Sequence, residues 1–360
     1  TALRSAPYTL NGKNIIVGVW DAGPVYAHTD FGSRLTVVDT GKPVHYHATH
    51  VAGTIGGNAA SGQSNALGMA SSVFLRSYDW DYDTTEMRSG YAAGIRLSNH
   101  SYGEVVGYYW NSAKNAWEFM PNTYRFGLYA SSSAEFDSVV YDTGLLVFKA
   151  AGNDRGEGDG PYDCIEPRGV AKNVVSIGAT TDSDGMSSFS SWGPADDGRV
   201  KPDLCANGTD LYSTMPDGNF ASLSGTSMAS PSACGSAALL YQLYLKEMSA
   251  EPRPETLKAL LIHAAADLGR TGPDYCYGWG LVDAKKSADL LIGRQWREGT
   301  VSQGFFVPYT VTVLNGNKPL KVTLVWTDAP ASPSAGKALV NDLNLILRSP
   351  SGVPYYPWVL

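Results

Sequence analysis

The chain has 360 residues, more than one hydrophobic core usually organises, so a large domain with a smaller companion is expected. A net charge of −7 without a Lys/Arg cluster argues against nucleic acid or an anionic membrane as the main partner. The longest apolar runs, 144–148 and 237–245, are broken by Lys or Gln far short of a membrane span, and no basic-then-apolar leader opens the sequence, so any signal peptide or pro-segment is expected to have been removed or left out.

Residues 15–20, 73–77, 145–150 and 174–177 are almost continuously apolar and predict buried strands. Helical patterns follow His47, span 85–96, run from Ser227 to about Met248, and run from Pro254 to Ala265 with Pro in the first turn. Such alternation predicts an α/β fold, a parallel sheet with helices on both faces in three layers, with its active site at the carboxyl ends of the strands. After Gln295 the pattern changes: 305–314, 320–326 and 343–348 alternate apolar and polar residues, with Asn315-Gly316 as a hairpin signal. The expected organisation is a catalytic domain over 1–295 and the start of a small antiparallel β-sandwich over 296–360. Sandwich domains run to about 100 residues, so this one is expected to be completed past Leu360 or by another segment. Four widely spaced cysteines show no metal pattern; Cys234 reads as a buried free thiol, and one disulfide among the other three stays open.

Four places can carry chemistry. The first strand ends in Asp21-Ala22-Gly23, which reads as a surface turn or as a carboxylate that orients an imidazole. In His47-Ala48-Thr49-His50 the spacing of three would suit a metal pair, but no third ligand of matching character is near; His50 fits a core histidine, and His47, at the helix start, fits proton transfer. Asn153, following the strand 145–150, either tolerates a left-handed turn or donates its amide to a developing oxyanion. Gly225-Thr226-Ser227-Met228-Ala229-Ser230-Pro231 sets a small hydroxyl at the start of an apolar helix, the place of a helix cap or of an approachable nucleophile.

In this order, Asp21, His47, Asn153 and Ser227 resemble the subtilisin-like serine proteases, the subtilases, over about residues 10–290. The resemblance implies a secreted serine endopeptidase of subtilisin-like fold. Asp21 would orient, His47 would serve as general base and then acid, Ser227 would attack, and Asn153 would hold the oxyanion. Ser101, Tyr102 and Gly103 resemble one substrate-clamping backbone strand, and Ala150, Ala151 and Gly152 the other. The partners implied are protein or peptide substrates and the chain's own pro-segment. No cofactor is required for the chemistry; structural calcium is expected at most near Asp182, Asp184 or Asp342, because segment 58–66 lacks a carboxylate where shorter subtilases have a calcium loop. The tail motifs 321–330 and 340–343, with 190–194 and 198–203, are similar to a large alkaline protease subgroup carrying a C-terminal β-barrel. Departures from the family pattern include Ala48 for Gly, Asn207 for Pro, and 231–234; none removes a catalytic atom. An α/β-hydrolase would place Ser before its acid and His, and serine-carboxyl peptidases use Glu as base. The remaining alternative is a catalytically silent, peptide-binding relative. The pocket floor is expected in 164–167, with Ile165 or Glu166 facing inward.

Overall fold

The computed structural model describes residues 2–111, 113–156, 161–333 and 335–360. The elements in chain order are β1 (Ile16–Asp21), β2 (Leu35–Val37), α1 (Tyr46–Gly56), β3 (Phe74–Asp79), α2 (Asp83–Ala92), β4 (Leu97–His100), β5 (Gly107–Asn111) and β6 (Ala116–Met120). There follow α3 (Ser131–Thr143), β7 (Leu146–Ala150), β8 (Val175–Thr180), β9 (Leu204–Asn207), β10 (Leu211–Thr214), β11 (Phe220–Leu223), α4 (Thr226–Met248), α5 (Pro254–Ala264), α6 (Ala284–Ile292), β12 (Leu347–Arg348) and β13 (Pro354–Tyr355). Seven strands form one sheet in the order β2-β3-β1-β4-β7-β8-β9, and every pairing in it is parallel.

The central strands β1, β4, β7 and β8 are buried along nearly their whole length because helices cover both faces. One apolar cluster joins Val17, Val19, Leu97, Phe148 and Ile177 of the sheet to Val51, Ile55, Ala233 and Leu240 of α1 and α4. A second, on the other face, joins Trp20, Tyr78, Met87, Phe136, Val139 and Val147. Helix α4 is lined with Ala, Gly and Ser, so it can lie close to α1 and the sheet; Gly235 sits where a Cβ would come within 2.6 Å of the Met69 side chain. Helix α2 stops earlier than its pattern suggests, since Gly94 turns the chain at φ 100° and the Ile95 N–H bonds back to Gly90.

Of the small antiparallel C-terminal sheet expected, the described residues show one two-stranded piece, β12 with β13. Asn315 does make its turn, with the Lys318 N–H on its carbonyl at 3.3 Å, but 305–314 and 320–326 enter no ladder; among the described residues beyond 295, β12 and β13 alone pair, over two residues each. Alternating sequence specifies a face, not a partner strand, and Phe305, Phe306 and Leu314 stay exposed. The segment instead docks on the α/β body through Asp328. Its buried carboxylate accepts Lys172 Nζ at 2.6 Å and the Val340 and Asn341 N–H groups at 2.9 Å. All four cysteines are free thiols, which closes the question of a disulfide that the sequence left open, and Cys234 is buried as expected.

Candidate active site

The parallel sheet brings the carboxyl ends of β1, β4 and β7 side by side, and α1 and α4 pack against each other and against the sheet. Asp21 is the last residue of β1 and is buried. Its Oδ1 accepts the Ala22 N–H at 2.7 Å, which fixes the carboxylate. His47, in the first turn of α1, places Nδ1 2.8 and 2.9 Å from the two Asp21 oxygens. Burial alone would lower the His47 pKa, but the charge and hydrogen bond of Asp21 outweigh it and hold the imidazole above its ordinary value. An Nδ1–H held on Asp21 leaves Nε2 as the basic nitrogen.

His50 is the core histidine expected. Its Nε2 lies 2.9 Å from the Leu211 carbonyl and 3.1 Å from that of Ala221, tying α1 to the β10–β11 hairpin, and burial pushes its pKa down to about 4. Ala48 is helical and buried in α1, so its extra methyl sits in an unstrained backbone.

Ser227 is not the cap of α4. Gly225 occupies the cap position, and Ser227 is the second helical residue, with 9% of its surface exposed. Pro231 lacks the N–H that would bond the Ser227 carbonyl within the helix. The Ser101 hydroxyl donates to that carbonyl instead, at 3.0 Å, while the Ser227 hydroxyl donates to the Ser101 carbonyl at 3.2 Å. A buried relay supports the exchange: Ser230 Oγ donates to Asn99 Oδ1 at 2.7 Å, and Asn99 Nδ2 donates to Ser101 Oγ at 2.9 Å. The Ser227 hydroxyl thus bonds the Ser101 carbonyl in this state.

Asn153 follows β7. Its Oδ1 accepts both the Thr226 N–H, at 2.9 Å, and the Thr226 hydroxyl, at 3.0 Å. Two donors on one oxygen fix the amide's orientation, leaving Nδ2 to present its hydrogens. Thr226 also accepts the Gly152 N–H at 3.1 Å. Sequence reasoning missed this residue, because a threonine at a helix start carries no signal beyond capping.

Residues 101–106 enter no strand ladder, so the backbone of Ser101, Tyr102 and Gly103 keeps an unpaired edge. Tyr102 turns its side chain away: its hydroxyl donates to Asp83 at 2.8 Å and its ring packs against Trp80, so only its backbone is left for a ligand. On the other side, Ala150 pairs with β8, the Ala151 N–H bonds the Ile177 carbonyl at 3.0 Å, and the Gly152 carbonyl accepts the Ser191 N–H. Of the two floor candidates, Glu166 faces the gap side, since a Cβ on Gly103 would lie 3.0 Å from its Cγ; Ile165 packs with Ala151, Val170 and Ala195. The buried Glu166 carboxylate meets Lys149 Nζ at 3.0 Å and accepts the Arg168 N–H at 2.9 Å.

Asp182 contacts Asn207, and Asp342 pairs with Lys337 at 3.1 Å on the surface. Among the described residues the one group of three or more His, Cys, Asp or Glu able to hold a metal is Asp21, His45 and His47.

A hydroxyl at a helix start, a carboxylate-held imidazole and an oriented amide at the carboxyl rim of a parallel sheet have the layout of an α/β serine hydrolase. The chain belongs to the subtilase family, whose Peptidase S8 model matches residues 12–280. It is 31% identical over 238 residues to Subtilisin-like protease 6 of Trichophyton schoenleinii, covering 64% of this chain and 54% of that protein. With Subtilisin-like protease 5 of Arthroderma benhamiae it shares 30% over 298 residues, covering 73% and 69%. The chain thus spans about half the length (54%) of the first of these relatives. Among solved structures, the self-cleaved protease domain of PatA superposes with a TM-score of 0.61 at 25% identity, over 79% of this chain and 99% of that one. No helix of the described residues is long and apolar enough to cross a membrane.

Proposed function

We propose that this chain is a secreted serine endopeptidase that cleaves extended polypeptides through an acyl-enzyme. The observation that carries the proposal is the Asp21–His47 contact at 2.8 Å, an imidazole held with one nitrogen on a buried carboxylate. An extended substrate adds as a strand between the edge at Ser101–Gly103 and the backbone of Ala150–Gly152. The Ser227 hydroxyl swings from the Ser101 carbonyl to His47 Nε2, gives up its proton, and attacks the scissile carbonyl. Asp21 stabilises the imidazolium that forms, and His47 then returns the proton to the leaving amine. Asn153 Nδ2 and the Ser227 N–H, which points outward at the start of α4, hold the oxyanion. The chemistry needs no cofactor. Secretion and a pro-segment removed on maturation are part of the same proposal, supported by the kinship with subtilisin-like proteases.

The test is labelling by a fluorophosphonate probe together with hydrolysis of a peptide library. Wild type is expected to label at Ser227 and cleave; Ser227→Ala does neither. A folded wild type that binds peptides without labelling would identify a silent peptide-binding relative instead.

A further inference from the structure

His45 has no role in the chemistry above, yet it sits beside it. One imidazole nitrogen from His45, one from His47 and one Asp21 oxygen lie within 4.8 Å of one another. The His45 Nδ1 is buried and, among the described residues, has no hydrogen-bond partner. The His45 backbone is fixed at the entry to α1, its N–H on the Pro24 carbonyl at 2.9 Å and its own carbonyl accepting the Thr49 hydroxyl. Its ring packs at 4.9 Å on the exposed Tyr46 and 6.3 Å from the His47 ring.

From this juxtaposition we infer that Asp21, His45 and His47 form an inhibitory zinc site. Two imidazole nitrogens and a carboxylate oxygen are the donor set of a three-ligand zinc centre, with solvent in the fourth position. Zinc bonds to nitrogen and oxygen of about 2.0–2.2 Å put ligand atoms about 3.4 Å apart around a tetrahedral ion. The Asp21–His47 pair, at 2.8 Å, opens slightly to admit the ion, and the widest pair closes by rotation of the half-buried His45 ring. Zinc on His47 Nδ1 takes the place of its proton, which moves to Nε2. The imidazole then carries no free basic nitrogen, and Ser227 has no base. No bond is broken and no electron is transferred, so removing the ion restores the site.

The inhibitory consequence rests on the proposed protease chemistry; the binding does not. The test therefore reads both. Chelator-treated Ser227→Ala protein is titrated with zinc chloride against a chromophoric chelator, and the same titration follows peptide hydrolysis by wild type. One ion per chain is expected, bound equally by wild type and Ser227→Ala. Hydrolysis stops at the same zinc concentration and returns with EDTA. Placing His45→Asn or His45→Gln in each background should weaken binding, and sensitivity relative to that variant's own metal-free rate, at least about tenfold. Calcium and magnesium, which prefer oxygen-rich sites, should not compete. Undiminished zinc affinity in both His45 variants overturns the inference, as does zinc binding that survives Asp21→Asn. Because the histidine side chain makes no hydrogen bond at Nδ1, a folding defect is not expected; cobalt bound to unmutated protein provides the second reading, and the absence of a tetrahedral visible band from it also refutes the site. Zinc binding with full hydrolysis would refute the inhibition alone, whereas zinc binding to a chain that never cleaves peptides would refute the protease reading.

Discussion

Thr226→Val tests whether the Asn153 amide works only when held in one orientation. The change is isosteric and keeps the Thr226 N–H on Asn153 Oδ1 at 2.9 Å, but it removes the hydroxyl bond at 3.0 Å and the acceptor of the Gly152 N–H at 3.1 Å. Leaving the Gly152 N–H without a partner should cost about 1–3 kcal/mol of stability. Losing one oxyanion donor outright costs about 10²–10³ in kcat, which sets the ceiling and is the loss expected for Asn153→Ala. With one of its two anchors kept, Asn153 should lose about a third to a half of that free energy, so kcat should fall about tenfold with KM unchanged, or about 1.4 kcal/mol. Steady-state kinetics on a peptide substrate measure it. In the Asn153→Ala background the same valine should change kcat by less than about twofold, because the group it positions is gone. An equal tenfold loss in both backgrounds would show that Thr226 acts through the helix rather than through Asn153, and the reasoning would fail.

His47 must be neutral to accept a proton, and Asp21 holds its pKa above the ordinary value, so the acid limb of kcat/KM should lie above about pH 6.5 and should shift downward in Asp21→Asn; an unmoved limb would separate it from His47. Lys149→Met leaves the buried Glu166 charge unpaired and should lower stability by about 3–5 kcal/mol in chemical denaturation, with Glu166→Gln in the same chain restoring most of it. Burial raises the Cys164 thiol to about 11 and raises Cys205 and Cys234 further, so a thiol reagent near pH 8 should reach the half-exposed Cys276 first and the other three only on unfolding. Mass mapping of the labelled peptides checks the order.

The placement of Asp21, His47, Asn153 and Ser227 at strand ends and helix starts was legible in the sequence because each stands where an apolar run meets a loop or helix start, and the boundary itself is local information. What orients them was not. The Ser101–Ser227 exchange joins residues 126 apart, and the proline that makes it necessary lies four places past the serine, where it reads merely as a helix irregularity. Lys149 reads as a polar break in an apolar strand, yet it is 1% exposed and matched by Glu166 across the loop. The tail shows the opposite failure: 305–314 and 320–326 carry a strand's alternation, but pairing depends on a neighbour that alternation cannot supply.

Pro231 has a mechanical consequence. By emptying one rung of the helix ladder it makes the Ser227 carbonyl the point to which the Ser101 strand is fastened. In the proposed mechanism the Ser227 hydroxyl and the Ser101 edge therefore share one anchor, so a substrate that displaced the edge would also displace the nucleophile. On that proposal, alignment of bond and attacker rests on two reciprocal hydroxyl contacts, and a polypeptide that could not lie straight along the edge would misalign the reaction as well as its own binding.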